Sequence, residues 1–381
     1  MTGSALERMA VVANTDWFLF NFLAEFLSLH LRHGVAARVV SPRGPYVEQL
    51  MRLGVSWAEV PMARGRGSLW NSVASIRSLA RTLRTFHPDV VHLITAKPVI
   101  LGNWAVDGDV SAVNVLPGLG RSFASSGLTS SLDRLAIRGG VRRALGRPRA
   151  RAVFHQASDR ERVLGSSSPL AARTSLIPGW GVDLDRFAGP RLPQHPPLVV
   201  MISRMLWTKG VGNFVEAAGQ CQRSIDARFV LVGDPDPGSP DAVPVSTLQE
   251  WESRGLVERW GHRADVPAIL ARASICVLPS RYGEGVPQSL VEAAAAGVPI
   301  IASDIPGCRE VVDHGRNGLL IVPGDVKGLA EAILGLLGSP AELDEMGKAG
   351  ARVARERFST EVIFEAYRRL YEAMGLKLDE G

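Results

Sequence analysis

The chain has 381 residues, 46% of them hydrophobic and 21% charged, which excludes intrinsic disorder and is long enough for two domains of ordinary size. Lys and Arg number 43 against 38 Asp and Glu, and the formal net charge of +5 is too small by itself to mark a nucleic-acid binder. Cys221, Cys276 and Cys308 show neither CxxC nor His-partnered spacing, so no disulfide framework or zinc site is expected and a reducing, cytoplasmic compartment fits.

Short apolar runs alternate with helix-period segments through the first half. Strands are expected at Met9–Ala13, Ala37–Val40, Val55–Val60, Val90–Ile94, Ser111–Val115, Ala152–His155 and Ser175–Ile177, with helices at Trp17–His33, Tyr46–Leu53 and Leu69–Phe86. This rhythm is that of a parallel sheet with crossover helices. The apolar stretch Trp17–Leu31 is interrupted by Asn21, Glu25 and Ser28 at helical spacing, which makes it an amphipathic helix and not a signal peptide. Nowhere do eighteen or so apolar residues run uninterrupted, so no membrane span is expected. Seven arginines between Arg134 and Arg151 are free of intervening acids, and that stretch must face water or anions.

A Pro-rich passage, Gly189–Pro197, reads as a linker. The expected domains are therefore 1–188 together with a returning C-terminal helix 361–381, and 189–360. In the second domain strands are expected at Leu198–Ile202, Phe229–Val232, Ile275–Leu278, Pro299–Ala302 and Leu319–Val322. They are apolar without alternation, as strands covered on both faces are. Helices follow at 326–337, 342–358 and 361–374, and Asp234–Pro244 reads as one surface loop.

Ligands of open parallel sheets sit at the carboxyl ends of the strands. After Leu278 comes Pro279–Glu292, whose small residues Gly285 and Val286, with Pro287 and Gln288 opening a helix, make a phosphate seat. The carboxylates Glu284 and Glu292 beside such a seat are suited to accept from neutral hydroxyls, as on a sugar. After Ile202 comes Ser203–Gly210, which brings Arg204 and Lys209 to a strand end where they could neutralise a departing diphosphate. In the first domain Thr15, Lys97, Gly118 and Gly120 follow strands and are candidates for a second substrate. His92 and His155 are read as structural hydrogen-bonders. Trp207 fits equally a packing role or a platform.

The E-x7-E pair Glu284/Glu292, the R-x-x-W-x-K-G form of Arg204–Gly210 and Gly181-Val-Asp183 closely resemble family 4 glycosyltransferases of the GT-B fold. Val115–Phe123 adds a likeness to bacterial members that extend polyprenyl-diphosphate-linked glycans. The resemblance implies an α/β fold of two Rossmann-like domains facing across a cleft, with the C-terminal helix crossing back to the first. It further implies retaining transfer, without a metal or other cofactor, from a nucleotide-sugar donor, UDP-linked, to a lipid-linked saccharide acceptor. Arg204 and Lys209 would hold the diphosphate, Glu292 the ribose hydroxyls and Glu284 the sugar. The backbone of Gly285–Gln288 would cradle phosphate, and His262-Arg263 would pass the nucleobase. Helix Trp17–Leu31 and the Arg-rich stretch would dock on the anionic inner membrane surface. A soluble acceptor, a nucleotide-sugar epimerase and a silent binding subunit are the alternatives, and the E-x7-E pair with both cations argues against the last two.

Overall fold

The computed structural model describes residues 4–62, 69–119, 128–236, 238–281 and 283–378. They form two compact units, Met1–Gly181 with Thr360–Gly381, and Val182–Ser359.

The first unit is built on a seven-stranded sheet in the order Ser56–Glu59, Ala36–Ser41, Arg8–Val12, Val90–Ile94, Ser111–Leu116, Ala150–Phe154, Thr174–Leu176, with every pairing parallel. Val90–Ile94 and Ser111–Leu116 are buried throughout, which is why their sequences run apolar instead of alternating. Helix Asp16–Arg32 starts where Thr15 Oγ1 accepts the Phe18 N–H (3.2 Å), with Asp16 in its first turn and Arg32 in its last, each of a sign that suits the helix dipole. Leu19, Leu23, Phe26 and Leu27 of this helix are buried in the unit's core.

The C-terminal helix Thr360–Glu372 belongs to this first unit. Its Tyr367 packs edge-on against Phe26 (4.9 Å) and stacks parallel to Trp180 (6.1 Å, 8°), so an aromatic cluster holds it. At the centre of that cluster Tyr371 Oη lies 3.1 Å from His30 Nε2 and 2.9 Å from His92 Nε2. His30 Nδ1 is 2.7 Å from the Phe26 carbonyl and must donate to it, so His30 Nε2 accepts from Tyr371 and Tyr371 in turn accepts from His92. Burial pushes the pKa of His30 down to about 4 and those of His92 and His155 to about 3.

The second unit has a six-stranded parallel sheet in the order Glu258–Gly261, Arg228–Val232, Leu198–Ile202, Ile275–Leu278, Ile300–Ser303, Gly318–Ile321. Glu258–Gly261 was not expected as a strand: at an edge, a short Glu-Arg-Trp-Gly segment has no apolar run to announce it. The expected domain boundary at 188/189 also shifts, to Gly181/Val182. Val182 and Phe187 already lie in the second core, and the Val182 N–H donates to the Phe358 carbonyl (2.8 Å). The Pro-rich passage is fastened to the second unit, with Arg191 on the Gly297 and Ala273 carbonyls and the Leu192 N–H on Ala271 (2.8 Å). The expected helix 342–358 is an α-helix Pro340–Val353 that loosens into a π-helical turn, Ala354–Phe358.

Candidate active site

In the second unit, Leu198–Ile202 and Ile275–Leu278 are hydrogen-bonded neighbours, so the segments that follow them emerge side by side. Trp207–Lys209 is a single 3-10 turn that ends at Gly210, whose φ of +79° is left-handed. A Cβ there would overlap the Pro279 carbonyl, so glycine is what lets the two strand ends close together. The Arg281 N–H donates to the Thr208 carbonyl (2.8 Å) and completes the junction. From the next strand, Ile300–Ser303, the turn at Gly307 abuts the Gly285 and Glu284 carbonyls so closely that it too has no room for a Cβ.

Glu284 is thus held in a loop braced from both sides. Lys209 Nζ lies 2.6 Å from each of its carboxylate oxygens, and Ser280 Oγ donates to Oε1 (2.5 Å). The side chains are 20% (Lys209) and 9% (Glu284) exposed, a partly desolvated pair and not a surface contact. Gly285 and Val286 complete the loop, and Pro287 precedes helix Gln288–Ala295 as expected. Glu292 stands one turn into that helix in different company. Desolvation pushes its pKa up to about 7, against the opposing effects of the Arg186 charge and a hydrogen bond to Gln288.

Arg204 reaches outward to Asp236, Nη1 to Oδ2 at 2.8 Å. The segment Asp234–Pro244, expected as a plain surface loop, is instead laced to the Arg204 segment: Met205 N–H to the Asp234 carbonyl (3.0 Å), Val243 N–H to Met205 (3.0 Å), Trp207 N–H to Asp241 (2.9 Å) and Thr208 Oγ1 to the Asp241 carboxylate. Its Pro and Gly content described turns correctly and missed the partner. Trp207 is 41% exposed and stands edge-on to Trp251 (5.9 Å). Arg263 forms a two-pronged pair with Asp265 (2.7 and 2.6 Å) on the exposed surface.

In the first unit, Thr15, Lys97 and Gly118 follow three neighbouring strands and so share one sheet edge. Gly120 lies outside the described residues, as does Tyr282 of the second unit. Thr15 already caps a helix, and the backbone beyond Gly118 is pinned by the Leu119 N–H on the buried Asp159 carboxylate (3.2 Å). Thr95, just before Lys97, has φ +74° and ψ 165°, a region that only glycine occupies comfortably, and its hydroxyl is buried without a partner among the described residues. His92 serves hydrogen bonding through Tyr371 Oη (2.9 Å), whereas His155 packs edge-on to Trp180 (5.2 Å), with its Nε2 buried without a partner among the described residues.

Ser280, Gly307, Arg186, Asp236 and Asp241 were missed by sequence reasoning; of these only Gly307, in a Pro-Gly turn after a strand, left a local signal. Among the described residues no three His, Cys, Asp or Glu side chains cluster as metal ligands, and no helix is long and apolar enough to cross a membrane.

Residues 196–339 match the family model for group 1 glycosyl transferases. Over 353 residues, 88% of this chain and 90% of the relative, the chain is 27% identical to the N,N'-diacetylbacillosaminyl-diphospho-undecaprenol α-1,3-N-acetylgalactosaminyltransferase of Campylobacter jejuni. The chain is a GT-B-fold glycosyltransferase. It is also 43% identical over 223 residues to an exopolysaccharide phosphotransferase of Streptomyces coelicolor, a match that spans 58% of this glycosyltransferase and 22% of that protein. Among solved structures, Anabaena HepE in complex with UDP and glucose superposes with a TM-score of 0.77 at 20% identity, covering 96% of this chain and 99% of HepE. The sucrose-phosphate synthase of Thermosynechococcus elongatus does so with a TM-score of 0.78, also at 20% identity, over 96% and 100%.

Proposed function

We propose that the enzyme moves a hexose or N-acetylhexosamine, with retention, from a UDP-sugar to a hydroxyl of a polyprenyl-diphosphate-linked saccharide in cell-surface glycan assembly. The observation that carries the reading is the Lys209–Glu284 pair, clamped between two glycine contacts at adjoining strand ends. There a cation and a carboxylate stand ready to separate, Lys209 to the leaving diphosphate and Glu284 to the sugar hydroxyls. Glu292 meets the ribose, and its raised pKa lets it donate as well as accept near neutral pH. As the diphosphate departs, its oxygen takes the proton of the incoming acceptor hydroxyl on the same face of the sugar. Arg204 and Lys209 neutralise it without a divalent metal. The relative named for an undecaprenol-linked substrate and the structure named for bound UDP support the acceptor and donor classes.

The membrane partner is proposed for a narrower surface than the sequence implied. Helix Asp16–Arg32 spends its apolar face on its own core. Helix Leu128–Leu145 instead exposes Leu132 and Leu135 near Arg138 and Arg142, and neighbouring Trp104 is 57% exposed under the Arg143 guanidinium (3.6 Å). Exposed apolar side chains on a helix that also carries several arginines suit an anionic bilayer. Failure to co-sediment with anionic vesicles at low salt would remove it.

The deciding experiment offers UDP-, GDP- and dTDP-sugars with a polyprenyl-diphosphate-linked saccharide, in EDTA, to the wild type, Lys209→Ala and Glu292→Ala. Saturable transfer from one UDP-sugar, with the anomeric configuration kept and both substitutions abolishing it, is expected. An epimerised sugar nucleotide, or no turnover of any donor, would overturn the reading.

A further inference from the structure

The charged groups at the strand ends of the second unit form two pairs of unlike character. Lys209 and Glu284 are enclosed, with side chains 20% and 9% exposed, whereas Arg204 and Asp236, joined Nη1 to Oδ2 at 2.8 Å, are 44% and 15% exposed. Asp236 rides on the laced segment Asp234–Pro244, whose backbone is bonded to the Arg204 segment on both sides of it, through Asp234 and through Asp241 to Val243. At the tip, the Gly238 N–H donates to Asp236 Oδ1 (3.2 Å) and the Ser239 N–H to the Asp236 carbonyl (2.9 Å), a turn that aims the carboxylate at the guanidinium. A carboxylate and a phosphate compete for the same planar donors of an arginine.

We propose that Asp236 is a resident counter-ion that the donor's diphosphate displaces from Arg204, and that it reclaims Arg204 as the nucleoside diphosphate leaves. It is a positioning residue that sets donor affinity and product release without touching the sugar. The inference rests on the assignment of Arg204 to the diphosphate.

The test is calorimetric titration of the full chain with inorganic diphosphate and, separately, with UDP. Asp236→Asn keeps the shape and the Gly238 contact but removes the charge. It is expected to bind both probes about two- to fivefold more tightly, as loss of an exposed competing ion pair allows, and to release UDP more slowly by the same factor. The gain disappears in an Arg204→Met background. Equal or weaker binding by Asp236→Asn, or the same gain without Arg204, overturns the proposal, as does a wild type that binds neither probe. Wild type that binds diphosphate but not UDP defeats the donor assignment of the proposed function, and the diphosphate arm still decides the role of Asp236.

Discussion

The two units spend their polar groups differently. In Val182–Ser359 the charged side chains gather at strand ends and are paired through the loops, Lys209 with Glu284 and Arg204 with Asp236, where a ligand can exchange with them. In the first unit the most deeply placed polar groups are neutral, with His30, Tyr371 and His92 linked in a line that secures the C-terminal helix. The more exposed Arg204–Asp236 pair can be broken and remade at small cost and the enclosed Lys209–Glu284 pair only when a ligand supplies new partners, whereas a buried neutral chain is costly to break because each orphaned group loses both water and partner. One arrangement suits binding and the other suits permanence.

The largest test of this contrast is Lys209→Ala. Removing the cation proposed to neutralise the leaving group should lower kcat by about 10²- to 10³-fold. Thermal unfolding of the first unit should not move. Comparable activity in the variant would place the diphosphate elsewhere.

Tyr371→Phe probes the other side. It leaves His30 Nε2 and His92 Nε2 without the hydroxyl they share, at a cost of about 1–3 kcal/mol, with donor binding to the second unit intact. An unchanged melting temperature would show that the line of hydrogen bonds does not secure the helix.

The two units should also answer pH in opposite directions. His30, His92 and His155 titrate at 6.5 when unfolded and well below that when folded, so their neutral forms stabilise the first unit above pH 6.5, and this is lost as pH falls. Glu292 is raised from 4.5 to about 7, so the fold holds its proton more tightly, and stability from this group is lost as pH climbs from 4.5 through 7. Urea melts of Glu292→Gln against wild type should therefore show a gain at pH 8 that shrinks towards pH 5. A pH-independent difference would mean that Glu292 titrates normally.

The smallest effect expected is at Thr95. Relief of a strain of about 1–3 kcal/mol by Thr95→Gly, less the 0.5–1 kcal/mol or so of extra chain entropy that glycine loses, should raise stability by up to about 1–2 kcal/mol. A fall in melting temperature would show that the packing of the threonine methyl outweighs the strain.

Much of the second unit was readable because its signals are local. Five of its six strands are apolar runs bounded by turns, and Lys209, Glu284 and Glu292 lie within short loop-and-helix segments whose chemistry a few adjacent residues define. The first unit's strands were equally plain, but the purpose of its histidines was not. His92 meets Tyr371 across 279 positions and His30 meets it across 341, and nothing near either residue in the chain marks the other.

Periodicity and turn chemistry in the sequence determined two parallel sheets with crossover helices and the strand ends at which charge collects, because each is encoded within one element's length. Strand order and helix return alone decided that Asp236 would face Arg204, that Gly307 would brace Glu284 and that Tyr371 would sit between two histidines, because those contacts exist only once distant segments are packed together.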